Sequence, residues 1–116
     1  MADLGELTAL AQHFVNERDW AQFHSPRNLA MALVVEAAEL QELFLWCDDD
    51  GPQPRNPAHK KRAEDEAADV LLCLLNFCAR SDIDLESAFR DKLARAHLKY
   101  PVEKSRGKAT KYNELE

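Results

Sequence analysis

The sequence has no apolar run that approaches the roughly 20 residues needed to span a bilayer. Its first residues, 1–6, also lack the basic start and apolar segment of a signal peptide. These two absences predict a cytoplasmic protein that makes no use of a membrane.

Basic residues are also fewer than acidic residues. The chain has 15 Lys and Arg residues against 21 Asp and Glu residues, which gives a formal net charge of −6. A nucleic-acid polymer needs a basic protein surface, so the sequence argues against such a partner. It leaves open a single nucleotide that is bound through a metal ion.

Cysteine is scarce and odd in number, because only Cys47, Cys73 and Cys78 occur and none of them forms a C-x-x-C motif. This usage is typical of reduced thiols in the cytoplasm rather than of a disulfide framework. We expect Cys73 and Cys78 to fill the core.

Helical periodicity runs through almost all of the 116 residues, and no strand alternation or internal repeat is present. Asp3, Ser25-Pro26 and Asp84 are helix-start signals. A segment with Gly51 and three prolines predicts a loop, after which Asn56-Pro57 repeats the cap-plus-proline signal. The pattern predicts one all-α domain over residues 1–116, with helices at about 3–18, 26–46, 57–80 and 85–99 and a basic tail over 101–116.

The third predicted helix is apolar nearly all round over Val70–Cys78. A helix of that kind must be covered on every side, and a short chain has few helices to do so. We therefore expect a four-helix bundle that is completed by oligomerisation.

Two pairs of carboxylates carry most of the chemical information. Glu36 and Glu39 are three residues apart in one predicted helix, and Glu66 and Asp69 are three apart in the next. Residues at this spacing share a helix face. Four acids turned toward one site repel each other unless cations neutralise them, and hard oxygen ligands suit Mg²⁺. The spacing predicts a Mg²⁺ site between two helices.

Other residue types suggest a nucleotide, each with a simpler structural explanation beside it. Trp20 and Trp46 could stack on a base, or they could be packing residues at the edge of the core. His24 could donate to a base or sugar, or belong to a helix cap. Arg80 and Lys92 could attract phosphates, or be solvated surface charges. A di-iron bundle is disfavoured, because no glutamate has a histidine three residues later.

The acid motif, Glu36-x-x-Glu39 followed by Glu66-x-x-Asp69, resembles that of the all-α MazG-like nucleoside triphosphate pyrophosphohydrolases. Four other segments look like the branch of that family that contains the dCTP pyrophosphatases, namely residues 17–29, 42–46, 99–101 and 111–115. The likeness therefore spans nearly the whole chain.

This resemblance implies hydrolysis of a nucleoside triphosphate to its monophosphate and pyrophosphate. It makes the four acids Mg²⁺ ligands, and it makes one of the glutamates, for which we select Glu39, the group that also orients or deprotonates the attacking water. It further implies a homodimer or a tetramer. The implied substrate-binding residues are Trp20, His24 and Trp46 around the base, Arg80 and Lys92 near the phosphates, and Lys111 and Tyr112 in the tail.

Three positions depart from the dCTP-specific pattern. Cys73 stands where those members have tyrosine, Ala96 where they have asparagine, and Ala11 where they have histidine. Because a selective pocket depends on placed polar groups, the departures bear on base and sugar preference. The sequence predicts an enzyme acting on a pyrimidine nucleotide such as dCTP or a modified dCTP. The alternative is a non-catalytic helical module that binds metal for structure or regulation.

Overall fold

A computed structural model describes residues 2–46 and 57–116, and within these ranges every regular element is a helix. Five α-helices follow one another in the described chain: α1 (Leu4–Glu17), α2 (Pro26–Glu42), α3 (Pro57–Arg80), α4 (Leu85–Lys99) and α5 (Val102–Ser105). Short 3₁₀ turns lie at Ala21–Phe23 and Tyr112–Glu114. The all-α fold class is thus confirmed. The predicted loop over 48–57 and the Asn56 cap lie outside the described residues, apart from Pro57 itself.

Side-chain caps begin three of these helices where the sequence predicts them. The Asp3 carboxylate accepts a hydrogen bond from the Glu6 backbone N–H at 2.9 Å, and Ser25 Oγ accepts one from Asn28 at 3.1 Å. Asp84 caps α4 in the same way. Each cap satisfies a backbone donor that the first helical turn leaves without a partner.

The second helix ends at Glu42, so the prediction that it continues to Trp46 is wrong. A turn follows in which Trp46 has a backbone φ of 65°, a left-handed conformation that cannot continue an α-helix. His59 Nε2 lies 2.7 Å from the carbonyl oxygen of Leu43, and its ring packs on Phe44. The beginning of α3 thereby holds the turn after α2.

The chain divides into two compact units, one up to Ile83 and one from Asp84 to Glu116. In the first unit, α3 packs against both α1 and α2. Asn76 is buried on α3 and accepts a hydrogen bond from Gln12 of α1 at 3.0 Å. The buried apolar residues of this unit form a small core: Ala11, Val15, Leu29, Leu43, Leu75 and Cys78.

The second unit contains α4, α5 and the tail. Pro101 follows α4, and the segment predicted as a plain basic tail contains the α5 turn and the 3₁₀ turn over Tyr112–Glu114. The Tyr100 and Tyr112 rings pack edge to face at 6.1 Å, which fastens the tail to the end of α4.

No helix among the described residues combines the length and the apolar character that crossing a membrane would require. Many large apolar side chains are nevertheless exposed. An apolar groove of about 310 Å³ runs between α1 and α3, and among the side chains that line it are Leu7, Leu10, Phe14, Leu71, Leu72 and Leu75.

Candidate metal centre and its surroundings

Three carboxylates converge where α2 packs against α3. Glu36 and Glu39 lie one helical turn apart on α2, and Glu66 projects from α3. One oxygen from each of the three lies within 4.8 Å of the others, and all three side chains are half-buried. Two helices of the first unit therefore bring together acids that are far apart in sequence.

Crowding raises the pKa of two of these acids. Partial burial and then the neighbouring Glu39 carboxylate, through side-chain interaction and charge repulsion, raise the pKa of Glu36 above its ordinary value. The charges of Asp69 and Glu66 add to this rise. Partial burial, the Glu39 carboxylate and repulsion from Asp69 likewise raise the pKa of Glu66. The positive charge of Arg62 partly offsets this rise. Glu39 is thus the acid that interacts with both of the others.

The oxygens of this cluster fit a hard divalent cation. Oε2 of Glu36 and Oε2 of Glu66 are both buried and have no hydrogen-bond partner. A buried charged oxygen without a partner is costly, and a bound cation removes that cost. An all-carboxylate set of oxygen donors suits Mg²⁺ better than a soft metal.

Asp69 stands slightly apart from the three. It lies one turn beyond Glu66 on α3, its side chain is exposed, and it is not among the three whose oxygens converge within 4.8 Å. Its charge still raises the pKa of both Glu36 and Glu66, so it contributes to the same negative potential. Its role as a fourth ligand stays a prediction.

A thiol lies beside the acids. Cys73 follows Asp69 by one turn of α3 and is half-buried. Partial burial, then the charges of Glu36 and Asp69, raise the pKa of its thiol. The thiol is therefore held neutral, and Cys73 supplies a small, weakly polar surface where the dCTP-specific pattern has tyrosine.

The predicted base-binding residues sit at the ends of helices. Trp20 lies between α1 and α2, half-exposed, and packs edge to face on Phe14 at 5.7 Å. His24 follows the 3₁₀ turn and precedes the Ser25 cap. Trp46 is 90% exposed at the edge of the described segment. The two tryptophans thus differ, because Trp20 has a packing partner and Trp46 presents almost its whole surface to solvent.

The predicted cations fall in both units. Arg80 is the exposed last residue of α3, where its charge also complements the negative end of the helix. Lys92, Lys111 and Tyr112 belong to the second unit and line one cavity there. Sequence reasoning missed Arg95, Lys99 and Tyr100 around that cavity, although the helical spacing from Lys92 to Lys99 was a usable signal.

Comparison with known proteins gives a consistent result. Residues 31–115 match the sequence profile of the MazG-like family. Over 114 residues the chain is 43% identical to dCTP pyrophosphatase 1 of Bos taurus, 45% to that of Mus musculus and 41% to that of Homo sapiens. These alignments cover 97% of this chain and 67–68% of each relative.

A solved structure agrees with these sequence matches. A pyrophosphatase from Archaeoglobus fulgidus DSM 4304 superimposes with a TM-score of 0.72 at 31% identity, and the alignment covers 87% of this chain and 94% of that one.

Proposed function

Because this chain belongs to the MazG-like family, we propose that it is a nucleoside triphosphate pyrophosphohydrolase that uses Mg²⁺ and acts on dCTP or a modified dCTP. The products are the nucleoside monophosphate and pyrophosphate. The relatives that support the substrate class are named dCTP pyrophosphatase 1. The observation that carries the proposal is the convergence of Glu36, Glu39 and Glu66 with two buried, unpartnered oxygens.

The four acids have two roles in this proposal, which are to bind the cation and to activate a water. Glu36, Glu66 and Asp69 hold Mg²⁺ together with Glu39 in this proposal. When bound, Mg²⁺ supplies positive charge that screens the phosphates and makes a water more acidic. Glu39 interacts with both neighbouring glutamates, so it is the carboxylate that we expect to orient the attacking water and accept its proton. The oxygen of that water forms a bond to phosphorus as the phosphoanhydride bond between the α and β phosphates breaks, and the nucleoside monophosphate and pyrophosphate leave.

The remaining residues of the first unit bind the rest of the substrate. We propose that Trp20 and Trp46 contact the base, that His24 donates a hydrogen bond to the base or sugar, and that Arg80 attracts the phosphates. The small thiol of Cys73 beside the acids leaves room that a tyrosine would fill, which favours a modified or larger base. Lys92, Lys111 and Tyr112 belong to the second unit, and their roles in binding the substrate stay predictions.

Assembly and location complete the proposal. We propose that the chain forms a homodimer or homotetramer, which the apolar groove between α1 and α3 supports. We expect a cytoplasmic location, with which the free thiols of Cys73 and Cys78 agree. The organisation as a single domain over residues 1–116 likewise stays a prediction.

Pyrophosphate release from a panel of (deoxy)nucleoside triphosphates tests the function. We expect turnover that requires Mg²⁺ and is fastest with dCTP or a dCTP modified on its base. The Glu39→Gln variant is the catalytic control. If the wild-type chain releases no pyrophosphate from any nucleotide of the panel, the result would instead support a non-catalytic metal-binding module.

A further inference from the structure

The chain turns sharply at Asp19, just after α1, where the backbone φ is 52°. The Asp19 N–H donates to the Asn16 carbonyl at 3.1 Å, and the Trp20 N–H donates back to the Val15 carbonyl, also at 3.1 Å. This is the Schellman pattern of helix ends, in which the left-handed position is usually glycine. Here an aspartate takes it, and Gln22 Nε2 donates to both the carbonyl and the carboxylate of Asp19, at 3.0 and 3.2 Å. Hydrogen bonds therefore hold a turn that its central residue disfavours.

The turn brings Trp20 back onto the end of α1. Its ring packs edge to face on Phe14, with the ring centres 5.7 Å apart. The Arg18 guanidinium lies 3.8 Å from the centre of the Phe14 ring and 6.0 Å from that of Trp20, within the range of cation–π attraction. Arg18 Nη1 also donates to the Phe14 carbonyl at 3.1 Å. Phe14, Arg18 and Trp20 thus form one cluster, which we call the aromatic corner.

The aromatic corner fixes Trp20 without covering it. Of the Trp20 surface, 44% stays exposed, so the indole has a packed part and an open part. A side chain that is already ordered before a ligand binds avoids the entropy loss of being immobilised by it. A strained backbone such as that at Asp19 is also typical of positions that hold a ligand-contacting group in place. The contacts of Arg18 therefore have a use beyond closing the helix.

We propose that Arg18 is a positioning residue for the nucleobase. By packing on Phe14 and attracting the indole, it holds Trp20 in the orientation in which its open surface contacts the base. A guanidinium suits this task, because it lies flat on a ring while its N–H groups donate in its plane. The inference rests on the proposed function, since the contact between Trp20 and the base is part of that function.

Fluorescence quenching without nucleotide tests the positioning directly. The chain has two tryptophans, so Trp46→Phe leaves Trp20 as the single indole. In this background we expect Arg18→Ala to raise the acrylamide quenching constant, because the indole loses a neighbour that restrains it. His13→Ala is the matched control, since exposed His13 pairs with Glu17 of the same helix at 3.2 Å and lies outside the aromatic corner. Its quenching constant should equal that of the background.

A double-mutant cycle on the full chain tests the effect on substrate. Arg18→Ala should raise KM at least about threefold, which is the cost expected for ordering one side chain on binding, with kcat nearly unchanged. Adding Arg18→Ala to Trp20→Ala should raise KM no further, because the indole that Arg18 positions is then absent. If Arg18→Ala does not fold, Arg18→Gln, which keeps a donor for the Phe14 carbonyl, takes its place with the same expectations.

Three kinetic results would overturn the proposal. An unchanged KM with a lower melting temperature would mean that Arg18 only closes the helix end. An equal rise in KM with and without Trp20 would mean that Arg18 contacts the substrate itself. A wild-type KM in Trp20→Ala would leave Arg18 nothing to position. Quenching in Arg18→Ala equal to that of the control would also overturn it.

Failure of the proposed function is visible separately. A wild-type chain that turns over no nucleotide contradicts that function. The quenching experiment uses no nucleotide, so it still reports whether Arg18 holds Trp20. Circular dichroism of each variant shows that it is folded.

Discussion

At the scale of single residues, the site depends on carboxylates that are unfavourable to each other without a cation. Glu36 and Glu66 each have a buried oxygen without a partner, and each is crowded by Glu39. Natural chains retain such local repulsion at functional sites, where a ligand relieves it. Stability and activity should therefore respond in opposite directions when one charge is removed.

Glu39→Gln and Asp69→Asn test whether the loss of one charge lowers activity while it preserves or raises stability. Each change nearly keeps the side-chain shape but removes one charge. We expect each to lower kcat more than tenfold at saturating Mg²⁺, which corresponds to about 1.4 kcal/mol of barrier. In EDTA the melting temperature should stay the same or rise, because repulsion on Glu36 and Glu66 falls. Glu42→Gln, an exposed change at the end of the same helix, is the control. The hypothesis fails if both variants keep more than about a tenth of wild-type kcat.

The raised pKa of Glu36 predicts how the metal-free stability depends on pH. The folded chain holds this proton more tightly than the unfolded chain, in which the pKa is near the ordinary 4.5. The contribution is therefore fully present below the unfolded pKa and is lost as pH rises through the folded pKa. Calorimetric melting in EDTA should show the wild type losing stability relative to Glu36→Gln from about pH 4.5 toward neutrality. A constant difference between the two proteins over that range would contradict the shift.

Trp46→Ala separates base binding from packing. Because the Trp46 side chain is 90% exposed, its removal should leave the melting temperature nearly unchanged. If the indole stacks on the base, KM should rise by an equivalent of about 1–3 kcal/mol with little change in kcat. Trp20→Ala is the comparison, since loss of its contact with Phe14 should also lower the melting temperature. An unaltered KM in Trp46→Ala would remove this residue from the substrate site.

At the scale of elements, α2 matters because it presents Glu36 and Glu39 and is fixed at both ends. The Ser25 cap sets its beginning, and the turn held by His59 follows its end. Packing against α3 then gives the two acids their orientation toward Glu66. Loss of the Ser25 cap should therefore lower the stability of the fold more than it changes the positions of the acids.

Ser25→Ala tests the contribution of that cap. It leaves the Asn28 backbone N–H without its side-chain acceptor, so the free energy of unfolding should fall by about 1 kcal/mol. Ser25→Asp restores an acceptor and should regain most of the loss. Chemical denaturation of the three proteins measures both effects, and an Ala variant as stable as the wild type would show that the cap contributes nothing.

At the scale of the whole molecule, the first unit buries few large side chains and leaves an apolar groove open between α1 and α3. Leu71 and Leu72 lie in the run for which the sequence predicts an oligomer interface, and both line this groove. Exposed apolar surface of this extent is typical of protein contacts. A second copy of the chain is the partner that the predicted assembly requires.

Sedimentation at micromolar concentration tests the assembly. The purified chain should sediment as a multiple of 13.2 kDa. Leu71→Glu places a charge in the groove and should shift the protein toward monomer while circular dichroism stays helical. A wild-type species of 13.2 kDa at that concentration would contradict the predicted oligomer.

The sequence by itself determined the all-α class, the beginnings of α1, α2 and α4, and the identity of the acidic pairs. These are local matters: Ser25 caps the helix that it begins, and residues three apart share a helix face whatever surrounds them. The family resemblance followed from the same motifs and is confirmed by the match over residues 31–115.

Only the tertiary structure decided which acids meet and where the cations gather. Spacing along α3 treats Glu66 and Asp69 alike, but packing on α2 brings Glu66 within 4.8 Å of Glu36 and Glu39 and leaves Asp69 exposed. After Glu42 the backbone hydrogen bonds change to the i+3 pattern, as from the Leu45 N–H to the Glu42 carbonyl, and His59 contacts the Leu43 carbonyl. Helical periodicity encodes neither feature. The cavity that Lys99 and Lys111 line also includes Tyr100 and Tyr112, whose rings pack together although they are twelve residues apart, a contact that helical spacing does not predict.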